Sequence, residues 1–568
     1  MTRRALLTFS LVLLAACTAR GGMQDAAVPL DAARADAAMD GGPPTTDAAR
    51  DEARLDCVPG ARFCRGGELA ECGPDGRVAS MTPCPAGEVC AGARCVDACD
   101  ADALGTSYRG CTFRGTAPPA LLSGHGGPRL PLLGFGFHNP GAVASEVQIT
   151  GGALTAPILL TVPPDSSAFT AVPLVSGVFD RAAYGVSPTV LARGAASYRI
   201  RASAPVAAYQ FSPEYITLES ARFLMKSDAT VLFPSHAWGR DDVAATMAPS
   251  CASRPCGPEE MTFLQVTADA DGTEVSITPT VATEASVEGV VTSTTVTETP
   301  VAALAANMTV RFLLDAGDVL QLASGDDLTG TKITATQPVQ VISGNVGIRF
   351  PSSWTPLGQG HLHEALLPAR SWGTRYLVAP PPHPTRDESL PFSVRLVATA
   401  SGATVTFEPA RVSGPLTIPP NGHVDLSGLT GPFRVEGDRP FLALGQSTAS
   451  DVPTGDALDQ PIGASSMVAF PPIDQWRTSY GVSIPTEFDH AHLTLIYPVG
   501  STLEVDGVTI TDGTPVGTTG LAVRTVALDR SASAHRASGS ASFAMLVYGQ
   551  AAGTSYWYTA GLDTYLLY

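Results

Sequence analysis

From about residue 105 onward, apolar and polar residues alternate in short runs broken by Gly, Pro, Asp and Ser. Period-two alternation between turn residues predicts strands, and no long helical periodicity competes with it. The pattern therefore predicts an all-β protein. It also repeats. VLFPSHAWGRDDVAA, LLPARSWGTRYLVAP and AFPPIDQWRTSYGVSIP align on Pro234, Pro368 and Pro472 and on Trp238, Trp372 and Trp476, and Tyr376 matches Tyr480. A second block reads FLQVTADADGTEVSITP, FSVRLVATASGATVTFEP and, shorter, LTLIYPVGSTLEVDG. Alternation, a glycine turn and renewed alternation predict a β-hairpin there. A third block, YRIRASAPVAAYQF, TKITATQPVQVISG and FRVEGDRPFLALGQ, aligns on Pro205, Pro338 and Pro440, with SASFAMLVYGQ as a fourth copy.

The tryptophans are 134 and 104 residues apart, so the unit is of the order of one hundred residues. LGFGFHNPGAVASEVQITG reads as a leading hairpin from an earlier, partial copy. Two architectures fit. Each unit forms blades of a β-propeller-like ring, or each is one β-sandwich in a tandem array. The chain starts and ends out of phase with the repeat, which favours ring closure.

The first 17 residues, MTRRALLTFSLVLLAAC, differ in kind. Two arginines precede an apolar stretch too short to span a bilayer, as in a secretory signal. Leu14-Ala15-Ala16-Cys17 resembles a lipobox, which makes Cys17 a lipidation site and anchors the chain to a membrane. Thr18 takes the place where an inner-membrane retention signal carries aspartate, so the expected location is the bacterial outer membrane or cell surface. Residues 18–56 are rich in Ala, Asp, Pro and Gly and carry few large apolar side chains. Such a stretch is expected to be a disordered tether with a reach of roughly 35 Å.

Ten cysteines follow Cys17: Cys57, Cys64, Cys72, Cys84, Cys90, Cys95, Cys99, Cys111, Cys251 and Cys256. An even number in an exported chain predicts disulfides, and close CxxC pairs suited to zinc do not occur. Residues 57–99 are expected to form a small disulfide module, with Cys99 joined to Cys111 and Cys251 to Cys256. The remainder, 105–568, is the β-repeat domain. A formal charge of −18 repels phosphate backbones, so nucleic acid is not an expected partner.

Candidate chemistry is sparse. His361 and His363 stand two apart, as do His490 and His492, and residues i and i+2 on a strand share a face. HLHEALL lacks the second histidine of a zinc-protease helix, and neither a GxSxG elbow nor a P-loop occurs. TADADGTE sits where a turn is expected and lacks the spacing of a calcium loop. These features predict no catalytic residue, no cofactor and no metal site.

SAPVAAYQFSP, SDATVLFPSHAWG, DDLTGTKITATQPVQVISGN and HLHEALLPARSWGTRYLVAP together resemble the IgGFc-binding protein N-terminal domain family. That family includes a mucus-associated vertebrate protein and predicted lipoproteins of myxobacteria. The resemblance covers roughly 105–568 and implies binding rather than catalysis. In one departure, RDDVAATM follows Trp238-Gly239 where the family often has a tyrosine. The expected function is a surface-anchored, non-catalytic lipoprotein that binds extracellular protein or glycan. The alternatives are a carbohydrate-active hydrolase and a structural part of an envelope assembly.

Overall fold

In the computed structural model, the described residues run from Asp56 to Thr564, apart from Gly66, Ala86 and the segments 121–131, 183–184, 213–225, 252–254, 288–295, 352–358 and 454–460. The expected signal sequence with Cys17 and all but the last residue of the expected 18–56 tether lie outside the described residues.

Four long strands organise the β domain: Tyr198–Ser212, Lys332–Arg349, Phe433–Ser447 and Ala534–Ala551. Each is the centre of its own sheet, and the sheets hold seven, nine, seven and eight strands. The aligned prolines mark the bend in three of these strands; the fourth, Ala534–Ala551, bends without one. In all four sheets the pairing register slips near the middle of the long strand, at Arg201/Val206 in the first and opposite Gly239/Asp241, Gly373/Arg375 and Arg477/Ser479 in the others. Proline has no N–H to give to a ladder, so Pro205, Pro338 and Pro440 are tolerated only at such a bulge, which also bends the strand. The half before the bulge alternates buried and exposed; the half after it is buried on both faces, as its unbroken apolar run requires.

The bend has a topological consequence that corrects the hairpin expectation. Thr262–Ala268 and Thr273–Thr278 are not paired with each other. The first pairs with the second half of the long strand, the other with its first half, so the long strand lies between them. The same holds for Phe392–Ala398 and Ala403–Glu408 in the third sheet, and for His490–Pro498 and Leu503–Val505 in the fourth. Alternation and a glycine turn describe such arms as well as a hairpin, because both present one face inward. The pairing partner is remote in sequence.

The first copy is also complete, not partial. Gly110–Gly115, Leu132–Asn139, Ser145–Gly151 and Asp228–Leu232 all pair with Tyr198–Ser212. It escapes the tryptophan alignment because its opening strand, Gly110–Gly115, begins within YRGCTF and not after a Pro-Trp cassette.

The three cassettes are short 3-10 turns, Ser235–Ala237, Ala369–Ser371 and Ile473–Gln475. In each, the tryptophan Nε1 donates to a carbonyl five residues back: Trp238 to Phe233 at 2.8 Å, Trp372 to Leu367 at 3.0 Å and Trp476 to Pro471 at 3.2 Å. A buried indole must place its N–H, and this bond does so locally.

Ring closure joins the first and fourth sheets without a covalent link. Tyr209 Oη lies 2.7 Å from Ala560 O and 2.9 Å from Gly481 O, sharing its one proton between them, Thr564 N donates to Thr106 O at 2.6 Å, and Ser107 bridges Asp563. The closure is propeller-like, but each repeat is one curled sheet, larger than a four-stranded blade.

The cysteine-rich module has a three-stranded sheet, Arg62–Arg65, Glu68–Cys72 and Val78–Thr82, and a hairpin, Glu88–Ala91 with Arg94–Asp97. Its buried apolar residues are few: Ala70, Cys72 and Val96. Disulfides supply the restraint that so small a core lacks. They join Cys57 to Cys72, Cys64 to Cys90 and Cys84 to Cys95, while Cys99–Cys111 ties the module to the first β strand of the ring. Cys251–Cys256 closes a short loop in the second sheet.

Candidate functional site

The strands that follow the long strands, Asp228–Leu232, Gln359–Ala365, Met467–Ala469 and Thr554–Thr559, converge on the ring's axis. Each is laddered only to its own sheet. Ala365 N donates to Thr230 Oγ1 at 2.9 Å between two of them, and one carboxylate reaches all four. Asp228 Oδ1 accepts from Ala229 N at 3.0 Å and Trp557 N at 3.2 Å; Oδ2 accepts from Met467 N at 2.9 Å and His363 N at 3.3 Å. One amide comes from each of the four sheets. Burial holds the Asp228 carboxyl well above its ordinary value, although all four amides lower it. A lone acid at the head of an apolar strand, SDATVLF, is the sequence signal for this position, and the repeat alignment passed over it because it occurs in one copy.

His361, His363 and Glu364 sit around this axis, each with no solvent exposure. The two imidazoles lie side by side with centroids 5.3 Å apart, as their i, i+2 spacing requires. His361 stacks on Phe263, and its Nδ1 donates to the Val346 carbonyl at 3.2 Å. Burial lowers its pKa to about 4 and lowers that of His363 well below the ordinary value, so both rings are neutral. Glu364 faces the other way; burial and then the Asp228 charge push its carboxyl well up. His490 and His492 lie on a strand of the fourth sheet; His490 is partly exposed, and burial, ahead of Asp489, Arg530 and His383, lowers its pKa. Among the described residues, no three His, Cys, Asp or Glu side chains are grouped to hold a metal.

The acids of TADADGTE are already engaged. Asp269 takes Arg114 Nε and Ser235 Oγ, each at 2.8 Å, and Asp271 accepts from Ala316 N at 3.0 Å. A cleft of about 390 Å³ at the seam of the first and fourth sheets is similarly self-paired. There Asp506 holds His535 Nδ1 at 2.7 Å, and Arg536 pairs with Asp165.

The larger cleft, about 650 Å³, opens between the cysteine-rich module and the ring. Val89 of the module and Leu104 just after it form one side; Val143, on a loop of the first sheet, and Pro205, on its long strand, form the other. Asn139 shapes the loop carrying Val143, since its Nδ2 donates to the carbonyls of Val143 and Val162 and its Oδ1 accepts from Gly141 N. The base is charged. Arg109 and Arg477 each place a guanidinium 5.6 Å from the centroid of the buried Tyr108 ring. The chain passes over that ring at Gly561, where φ is +142° and a Cβ would lie 2.2 Å from the ring. Arg477 pairs with Asp563, whereas Arg109 donates to a neutral carbonyl, Ser479 O, at 3.2 Å. Beside Cys111, whose pairing with Cys99 the sequence predicts, nothing in the local pattern marks Arg109, because its cleft is built from residues scattered over the chain.

A family model, described as IgGFc binding protein, matches residues 228–549. A relative, the human IgGFc-binding protein, is 30% identical over 105 residues, which is 18% of this chain and 2% of that protein. The chain thus matches only a small part of that relative's length. The family match begins at Asp228, the axial carboxylate, spans the second and third sheets and most of the fourth, and covers more than half of the sequence. The chain belongs to the IgGFc-binding protein family.

Proposed function

We propose that this chain is a lipid-anchored extracellular binding protein of the bacterial outer membrane, acylated at Cys17, whose β ring and disulfide module engage another protein. The observation that carries this reading is the cleft of about 650 Å³ between module and ring, of a size suited to a ligand and walled mainly by aliphatic side chains. The titratable groups of the axis, by contrast, have no exposure and reach no substrate, which supports a role in binding rather than catalysis. IgG Fc belongs to the name of the human relative, and only protein binding is carried over from it.

Two experiments test the proposal. Full-length chain expressed in a Gram-negative host should take up labelled palmitate and fractionate with outer membrane, and Cys17→Ser should lose both; unlabelled wild type would refute the anchor. Purified full chain should be retained on an array of extracellular proteins and cell surfaces, and retention on none of them would refute the binding role.

A further inference from the structure

The cleft's two acids and two arginines cancel formally, but they are not all directly paired, and the arginine without a direct ion pair identifies a ligand class. Arg477 pairs directly with Asp563, whose carboxyl feels Arg109 only at longer range, and Glu88, at the mouth, is exposed to water. Arg109 is left. It is partly buried, its hydrogen bond goes to a neutral carbonyl, and its Nε is buried without a hydrogen-bond partner. A guanidinium taken from water gains most from a carboxylate, which matches its planar fork of donors. The walls set what flanks that carboxylate. Val89 is 39% and Val143 50% exposed, two aliphatic side chains lining the same cleft without a covering residue. No aromatic ring lines the described cleft, so it offers no flat face for stacking a sugar.

We infer that this cleft binds an extended peptide whose carboxylate pairs with Arg109 while its neighbouring aliphatic side chains pack between Val89 and Val143. The inference rests on the protein-binding reading and adds the site and the ligand's chemistry.

The test uses full-length chain and a fluorescein-labelled pentapeptide, Leu-Val-Asp-Leu-Val, with its Asp→Asn twin, read by fluorescence anisotropy. The Asp peptide should bind about tenfold more tightly than the twin, in line with a charged hydrogen bond. Arg109→Gln should abolish that preference by weakening the Asp peptide alone. Val143→Asp, on an exposed wall, should weaken the Asp peptide more than the twin and leave the thermal midpoint unchanged, so the test stands even if Arg109→Gln fails to fold. Equal binding of the two peptides to wild type, no binding of either, or a preference that survives Val143→Asp would overturn the inference. Chondroitin sulfate serves as the acidic-glycan arm. Its binding in place of the peptide would also overturn the inference, while leaving an extracellular binding role standing.

Discussion

The second sheet and its two successors solve the same junction differently. In the third and fourth sheets a tyrosine three residues into the opening strand locks that strand to the long one. Tyr376 Oη accepts from Gly373 N at 2.9 Å and donates to Phe441 O; Tyr480 Oη accepts from Arg477 N at 2.9 Å and donates to Phe543 O. The register places Asp242 at the equivalent point of the second sheet and Phe113 at that of the first. A phenol both donates and accepts, but an ionised carboxylate only accepts. Asp242 is buried, its Oδ2 has no hydrogen-bond partner, and burial pushes its pKa up to about 7, against the pull of Arg370. The same backbone frame thus carries a satisfied neutral bridge in two copies and a costly acid in another. The repeat constrains the strand path more strongly than the side chain that bridges it.

Removing what all three cassettes share should have the largest effect. Trp372→Ala deletes a fully buried indole and should cost about 3–5 kcal/mol, read from the urea midpoint. An effect below 1 kcal/mol would show that the cassette is not a packing element. Asp228→Ala comes next. It leaves amides from all four sheets without their acceptor, at about 3 kcal/mol or more. Amide exchange should rise in all four axial strands together, and a rise limited to Asp228–Leu232 would refute the four-sheet clasp.

Tyr376→Phe and Tyr480→Phe should each cost about 1–2 kcal/mol, since each strands a buried N–H and a carbonyl. Neutral outcomes for both would erase the difference drawn from Asp242. The smallest effect, but the sharpest test, is the pH response of Asp242→Asn. A carboxyl raised on folding binds its proton more tightly in the native state, so its contribution to stability is complete below about pH 4 and is lost as pH rises towards 7. His138, His361 and His492, each lowered to about 4, act oppositely: stability falls as pH drops from about 6.5 to 4. In wild type the Asp242 trend opposes the histidine trend in part. Asp242→Asn should expose the histidine trend, with thermal stability rising more steeply between pH 4 and 6.5 than in wild type. An unchanged profile would mean that Asp242 does not titrate in that range.

Much of this frame is readable along the chain. Pro205, Pro338 and Pro440 fall at three of the four bulges, because a residue without an N–H has few other places in a sheet; the fourth bulge carries no such mark. Trp238, Trp372 and Trp476 announce the cassettes. What the chain conceals is where its arms go. Thr262–Ala268 and Thr273–Thr278 look like a hairpin because alternation reports which face is buried and not which strand is adjacent. The completeness of the first sheet is hidden for a related reason, since its opening strand enters from a disulfide at Cys111 and carries none of the cassette's marks.

The histidines illustrate the division most closely. Their spacing alone determines that His361 and His363 share a face, since a strand's side chains alternate. Only the packing of the sheets decides that this face turns inward, where desolvation keeps both rings neutral. Period and composition are local properties and survive in one dimension: all-β class, repeat length, three of the four bulge positions and the cassette positions. The Asp228 clasp and the Arg109 cleft depend on groups brought together from remote parts of the chain, and only tertiary structure supplies that proximity.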